Sequence, residues 1–319
     1  MLSKWTYCGI GLASILTFTN LQGQVTAFTA AKFQASAELV LVPVTVTDHY
    51  GKTITGLGAP DFMVLDDRAP QHIESVHNED APCSAGIVLD TSGSMRNALG
   101  TAKDAAQAFL ETSNPQDEYL LLTVSTQPDT LSGFTNNIAA LEQSVDAARS
   151  GGMTALIDTV YLGLGRMRQG NQPRRALLII SDGIDNHSRY SKRKLLREAV
   201  EADVQIYTII LDDGLTGGAA TSIPFRPSMI KKPIDKGQEN QWPKLLEELA
   251  EKTGGLHFHA RSGAEAKQAA MKIGEALRNQ YVIGYHPPES AAVGKWHRID
   301  VKARVQDVHI YARDGYYAR

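Results

Sequence analysis

The chain has 319 residues, of which 43% are hydrophobic, and a formal net charge of −3. That is room for one large domain or two moderate ones, and the composition argues against disorder or a collagen-like fibre. The balanced charge and the lack of a long basic run give no electrostatic reason to expect nucleic acid, and beyond the first 25 or so residues no stretch is apolar enough to span a bilayer.

At the N-terminus, Lys4 precedes the uncharged run CGIGLASILTF, and Val25-Thr26-Ala27 offers small residues for cleavage. This is the layout of a secretory signal peptide, expected over residues 1–27. The protein is therefore expected to be exported, either periplasmic or secreted, with no membrane span in the mature chain. An uncleaved N-terminal anchor is the alternative. Cys8 would leave with the leader, so Cys83 would have no intramolecular partner and reads as a small buried hydrophobe.

Residues 38–80 read as an N-terminal β segment. ELVLVPVTVTD, DFMVLDD and QHIESVH alternate apolar and polar positions, and no amphipathic helix interrupts them. From Cys83 the pattern changes. SAGIVLD, EYLLLTVST, RALLIISD, VQIYTIIL and LHFHA are strand candidates, most of them built on continuous apolar runs. Helical patterns are expected over Asn97–Thr112, Asn137–Arg149, Thr154–Arg168, Ser191–Ala202, Trp242–Lys252 and Gly263–Asn279. Strands of this kind separated by helices predict an α/β fold: a doubly wound, mostly parallel sheet with helices on both faces, spanning residues 83–280. A long loop, 212–241, breaks the rhythm with glycines and prolines. Residues 281–319 return to strands in QYVIGYHP, KWHRIDVKARV and VHIYARDGYYA. They are expected to pair with residues 38–80 as a small flanking antiparallel β unit built from both chain ends.

The chemistry concentrates at the expected strand ends. VLDTSGSM closes the first core strand with Asp90, followed by Thr91, Ser92 and Ser94. SGGMTALID places Thr154 at a helix start after two glycines, and RALLIISDG places Asp182 after another strand. Open α/β sheets bind ligands outside the carboxyl ends of their strands, and carboxylates with hydroxyls are hard oxygen donors suited to a hard cation. Asp185 is three residues beyond Asp182 and reads either as a group that bonds a coordinated water or the loop, or as a solvated turn residue, the latter favoured.

Asp90, Ser92, Ser94, Thr154 and Asp182 together resemble the metal-ion-dependent adhesion site of von Willebrand factor A domains: D-x-S-x-S, then a distant Thr, then a distant Asp. The flanks are similar to those of a bacterial branch, the acidobacterial-type von Willebrand factor A-related proteins. The resemblance implies a noncatalytic adhesion module that holds Mg²⁺, with Mn²⁺ or Ca²⁺ as alternatives. The metal would take an acidic side chain from a protein partner. Two other readings stay open: a Mg²⁺-dependent hydrolase using Asp185 or His187 as general base, and a structural module whose metal only holds loops together.

Several lookalikes fail on the residues. An aspartic protease needs Gly where Ser92 stands and a second catalytic loop. A haloacid-dehalogenase-like phosphatase needs an acid at position 92. No G-x-S-x-G elbow and no phosphate-binding P-loop occur. His257 and His259 share a strand face but lack further zinc-type ligands. His72, His77 and His297 read as unremarkable. Asn186-His187-Ser188 matches a glycosylation sequon. Lys192-Arg193-Lys194, with Arg189 and Arg197, reads as a solvated basic face or a rim that steers acidic partners.

Overall fold

The structure is a computed structural model that describes residues 39–78, 80–212, 242–288 and 294–318. The expected signal peptide and nearly all of the 212–241 loop lie outside these residues. Fourteen strands are described: β1 (Val40–Asp48), β2 (Phe62–Asp66), β3 (Ala69–Gln71), β4 (Ile73–Asn78), β5 (Cys83–Asp90), β6 (Glu118–Val124), β7 (Asp129–Thr135), β8 (Arg174–Ser181), β9 (Gln205–Leu211), β10 (His257–Ala260), β11 (Tyr281–Tyr285), β12 (Trp296–Ala303), β13 (Val308–Ala312) and β14 (Gly315–Tyr317). The described helices are α1 (Leu99–Leu110), α2 (Ile138–Ala147), α3 (Leu156–Met167), α4 (Lys192–Glu201), α5 (Trp242–Thr253) and α6 (Gly263–Arg278).

The core is a six-stranded sheet in the order β10-β9-β8-β5-β6-β7. All neighbours pair in parallel except β7, which runs antiparallel on the edge of β6. Every residue of β5 is buried, because helices cover both faces of the sheet. On one face Ala102, Ala106 and Phe109 of α1, Leu141 of α2 and Ile273 of α6 pack against Ile87, Leu89 and Leu178. On the other, Val160 and Leu164 of α3, Leu195 of α4 and Leu249 of α5 pack against Val88, Leu122 and Ile179. The α/β expectation therefore holds.

The strand β7 has no counterpart in the sequence reading. Its stretch, DTLSGFT, has no apolar run, and only its inner face is partly covered. An edge strand needs only one partner, so a weak pattern is enough to form it once β6 is in place.

The flanking β structure draws on both chain ends, as expected, but forms two four-stranded sheets with one shared core. Their orders are β13-β1-β11-β4 and β14-β12-β2-β3. Alternate residues Val40, Val42, Val44 and Val46 of β1 join Tyr281, Ile283 and Tyr285 of β11 in a cluster with Phe62, Val64, Ile299 and Val301 of the second sheet. The flank meets the α/β core at the amino ends of the parallel strands. There Gln280, which links α6 to β11, donates to Gln205 Oε1 at the start of β9 (2.8 Å) and lies 3.5 Å from Thr45 Oγ1.

Ile87 and Ile283 sit in separate apolar clusters and are both fully buried. Each Ile→Ala substitution is expected to cost about 2–5 kcal/mol in urea unfolding. A single transition monitored by both fluorescence and circular dichroism would show that core and flank unfold as one cooperative unit.

Candidate metal centre

The strand β5 lies between β6 and β8. The chain leaves β5 for α1 on one face of the sheet and leaves β8 for α4 on the other. The two loops part at this switch point, the place where open α/β sheets bind ligands, outside the carboxyl ends of the strands. Asp90 is the last residue of β5, and Asp182 directly follows β8.

The backbone fixes the loop after β5. Ser92 N–H donates to Asp90 Oδ1 (2.9 Å), and residues Gly93–Arg96 form a 3₁₀ turn. This brings Ser92 Oγ and Ser94 Oγ to 3.0 Å from each other. Thr91 turns away from them, its N–H and Oγ1 both donating to Val124 O on β6. A second loop crosses the first: Gly151 N–H donates to Thr91 O (2.8 Å) and Gly93 N–H to Gly152 O (3.1 Å). Gly152 has φ +78°, and a Cβ there would stand 2.5 Å from Thr126 Oγ1, so glycine is required. Two residues on, Thr154 is held by Asn186: its N–H donates to Asn186 Oδ1 (2.9 Å), and its carbonyl accepts from Asn186 N–H and His187 N–H. Thr154 is thus tied to the serine loop through Gly152 and to the Asp182 loop through Asn186. Asp182 Oδ1 accepts from Ile184 N–H, next to Gly183 with φ +78°.

Asp90, Ser92, Thr154 and Asp182 are all buried. Burial, and then the neighbouring Asp182 carboxylate, push the Asp90 pKa up to about 7. Hydrogen bonding from Ser181 and Ser92 opposes them. Two buried carboxylates beside neutral hydroxyls fit a divalent cation, whose charge would offset both the desolvation and the repulsion.

Two contributors were not picked out as site residues from the sequence. Ser181 Oγ donates to Asp90 Oδ2 (2.5 Å) and accepts from Gly183 N–H, which bridges the two acid-bearing loops. Asn186 holds Thr154, although the sequence singled it out only within a sequon. The signal for Ser181 was its place at the end of an apolar strand beside Asp182. Asp185 differs from the favoured solvated-turn reading. It is partly buried, and its Oδ1 accepts from Ser188 Oγ (2.5 Å) and from Ile157 N–H at the start of α3 (3.3 Å).

The basic cluster is partly neutralised. Arg189 pairs with Asp158 (3.1 Å), Lys192 with Glu248 (3.0 Å), and Lys194 lies over the rings of Tyr161 and Tyr190. His259 sits between Glu247 (2.8 Å) and Asp212 (3.4 Å) on an exposed surface.

Because the folded pKa of Asp90 is raised, its contribution favours the fold at low pH and is lost as pH rises from about 3.9, the unfolded value, through about 7. In chelator, the melting temperature of Asp90→Asn relative to wild type is therefore expected to rise across that window. Equal melting curves from pH 4 to 8 would show that Asp90 carries no such cost.

Residues 86–184 match the model of the von Willebrand factor type A domain. An uncharacterised protein of Borreliella burgdorferi is 23% identical over 182 residues, which is 54% of this chain and 52% of that protein. The chain thus spans about half the length of this curated relative. Among solved structures, a von Willebrand factor type A protein from Catenulispora acidiphila matches with TM-score 0.49 and 12% identity, over 87% of this chain and 73% of that one. The vWF domain of the type V pili tip protein Mfa5 from Porphyromonas gingivalis matches with TM-score 0.47 and 15% identity, over 62% and 95%. BatB from Bacteroides thetaiotaomicron matches with TM-score 0.45 and 15% identity, over 61% and 98%. The chain carries a von Willebrand factor type A domain.

Proposed function

We propose that the von Willebrand factor type A domain of this chain is an exported, noncatalytic binding module that recognises a protein partner through a divalent cation. Asp90, Ser92, Ser94, Thr154 and Asp182 would hold the ion, with Mg²⁺ first and Mn²⁺ or Ca²⁺ as alternatives. Asp185 would support the site from behind, through Ser188 and the start of α3. The observation that carries this reading is the buried Asp90–Asp182 pair, with hydroxyl-bearing loops locked around it.

The donor chemistry supports the choice of ion. Mg²⁺ takes oxygen ligands and usually keeps several waters. Two carboxylates and three neutral hydroxyls leave the ion electrophilic. An acidic side chain of a partner is the ligand that suits such an ion. Ser188 and Ile157 both donate to Asp185 Oδ1, which restrains one of the two candidate general bases and weighs against hydrolysis through Asp185. Export rests on the leader-like N-terminus. No helix among the described residues is long and apolar enough to cross a membrane.

Calorimetric titration of Mg²⁺ and Mn²⁺ into wild type and Asp90→Ala tests the site. Binding near one equivalent in the wild type, lost in a still-folded Asp90→Ala, is the expected result. Retention of a short acidic peptide only in Mg²⁺, and not in chelator, would extend it to partner binding. A metal that raises the melting temperature but recruits no carboxylate would identify a purely stabilising ion.

A further inference from the structure

We infer a second cation site, separate from the one proposed around Asp90, where the N-terminal and C-terminal strands meet in the flanking β structure. Its ligands are Asp66 at the end of β2, Asp67 in the turn that follows, and His297 on β12. One carboxylate oxygen of each acid and one ring nitrogen of His297 lie within 4.8 Å of one another. His297 Nδ1 is 3.1 Å from Asp66 Oδ1 and 3.1 Å from Asp67 Oδ2. Neighbouring ligands on an ion with bonds of about 2.0–2.2 Å stand roughly 2.9–3.4 Å apart, so both acid–imidazole distances already have ligand spacing.

The surroundings supply an independent observation. The other oxygen of each carboxylate is fixed by protein donors. Asp66 Oδ2 accepts from Tyr285 OH (2.8 Å) and Tyr316 OH (2.9 Å), and Asp67 Oδ1 accepts from Arg298 N–H (3.0 Å). The Tyr316 ring lies alongside the imidazole at 5.4 Å. Both acids therefore turn their remaining oxygen toward Nδ1 and have little freedom to turn elsewhere. Such an orienting layer is what metal ligands require. The side chains of Asp66 and His297 are 0% and 9% exposed, whereas that of Asp67 is 55% exposed. Two ligands are inside, and the third opens to solvent, which provides an entry path and room for a water ligand.

The donor set selects the ion. One imidazole nitrogen with two carboxylate oxygens, and no thiolate, suits Zn²⁺ better than Mg²⁺ or Ca²⁺, which favour all-oxygen shells. The ligands come from opposite ends of the chain, with Asp66 and His297 separated by 231 positions. Zn²⁺ here would staple the N-terminal flank to the C-terminal one. His297, unremarkable in the sequence, becomes the residue that joins them.

The test uses the full chain carrying Asp90→Ala, which removes the other site from the count. After chelator and desalting, Zn²⁺ is titrated by calorimetry, and bound zinc is counted by elemental analysis. One retained equivalent and a higher melting temperature are expected. At least a tenfold loss of affinity is expected in both His297→Gln and Asp67→Asn. Asp67 has φ +47°, a conformation that Asn also tolerates, so Asp67→Asn should keep the fold and decides the question if His297→Gln does not. No zinc in the Asp90→Ala protein, or unchanged affinity in Asp67→Asn, would overturn the site. The three groups would then be a hydrogen-bonded cluster in which Nδ1–H is shared between two carboxylates.

Discussion

The structure turns on one unfavourable interaction, two carboxylates buried side by side where β5 and β8 diverge. Asp90 and Asp182 have lost solvent, and burial first and the Asp182 charge second make Asp90 resist ionisation. Local rules of protein folding disfavour such a pair, and natural chains tend to break those rules at functional sites. The surrounding detail serves to hold it. Ser181 bridges the two acid-bearing loops, Ser92 bonds back to Asp90, and the Gly151-Gly152 loop clamps the serine turn from the side. The bonds from Ser181 and Ser92 come from neutral donors, which lowers the cost of charge on Asp90 without cancelling it. A divalent cation is the group that would cancel it.

That cost is carried by a rigid frame. The strand β5 is buried along its whole length, with side chains of helices packed on both of its faces. The flanking sheets contribute from the opposite end. They pack at the amino ends of the parallel strands, through Gln280, Gln205 and Thr45, far along the strands from Asp90. They therefore brace the domain from the end opposite to Asp90 and Asp182. The salt bridge of Arg313 on the flank to Asp203 just before β9, with the bond from the same side chain to Leu41 O, strengthens the same junction.

Much of this was legible in residue order. The continuous Val/Ile/Leu runs between helical periods predicted a parallel sheet covered on both faces, because only strands buried on both sides can be apolar at every position. The alternation in β1 and β12 predicted one-sided burial for the flanks. Asp90, Ser92, Ser94, Thr154 and Asp182 stood out because polar residues end apolar strands there or open a helix after paired glycines. The weak strand β7 escaped notice because an edge position makes few demands on sequence. Ser181 was hidden inside its strand pattern, and Asn186 behind a sequon.

Apart from the edge strand β7, the sequence by itself determined the order and type of the main elements, the oxygen-rich strand ends, and the apolar alternation of both flanks, since periodicity and local chemistry are written in neighbouring residues. Only the tertiary structure decided which groups meet. Ser181 reaching Asp90 from the adjacent strand, Asn186 clasping Thr154, and His297 lying between Asp66 and Asp67 are contacts across 91, 32 and 231 positions. No local pattern encodes such distances. They arise because the sheet order brings β8 beside β5, and because both chain ends enter the same pair of sheets.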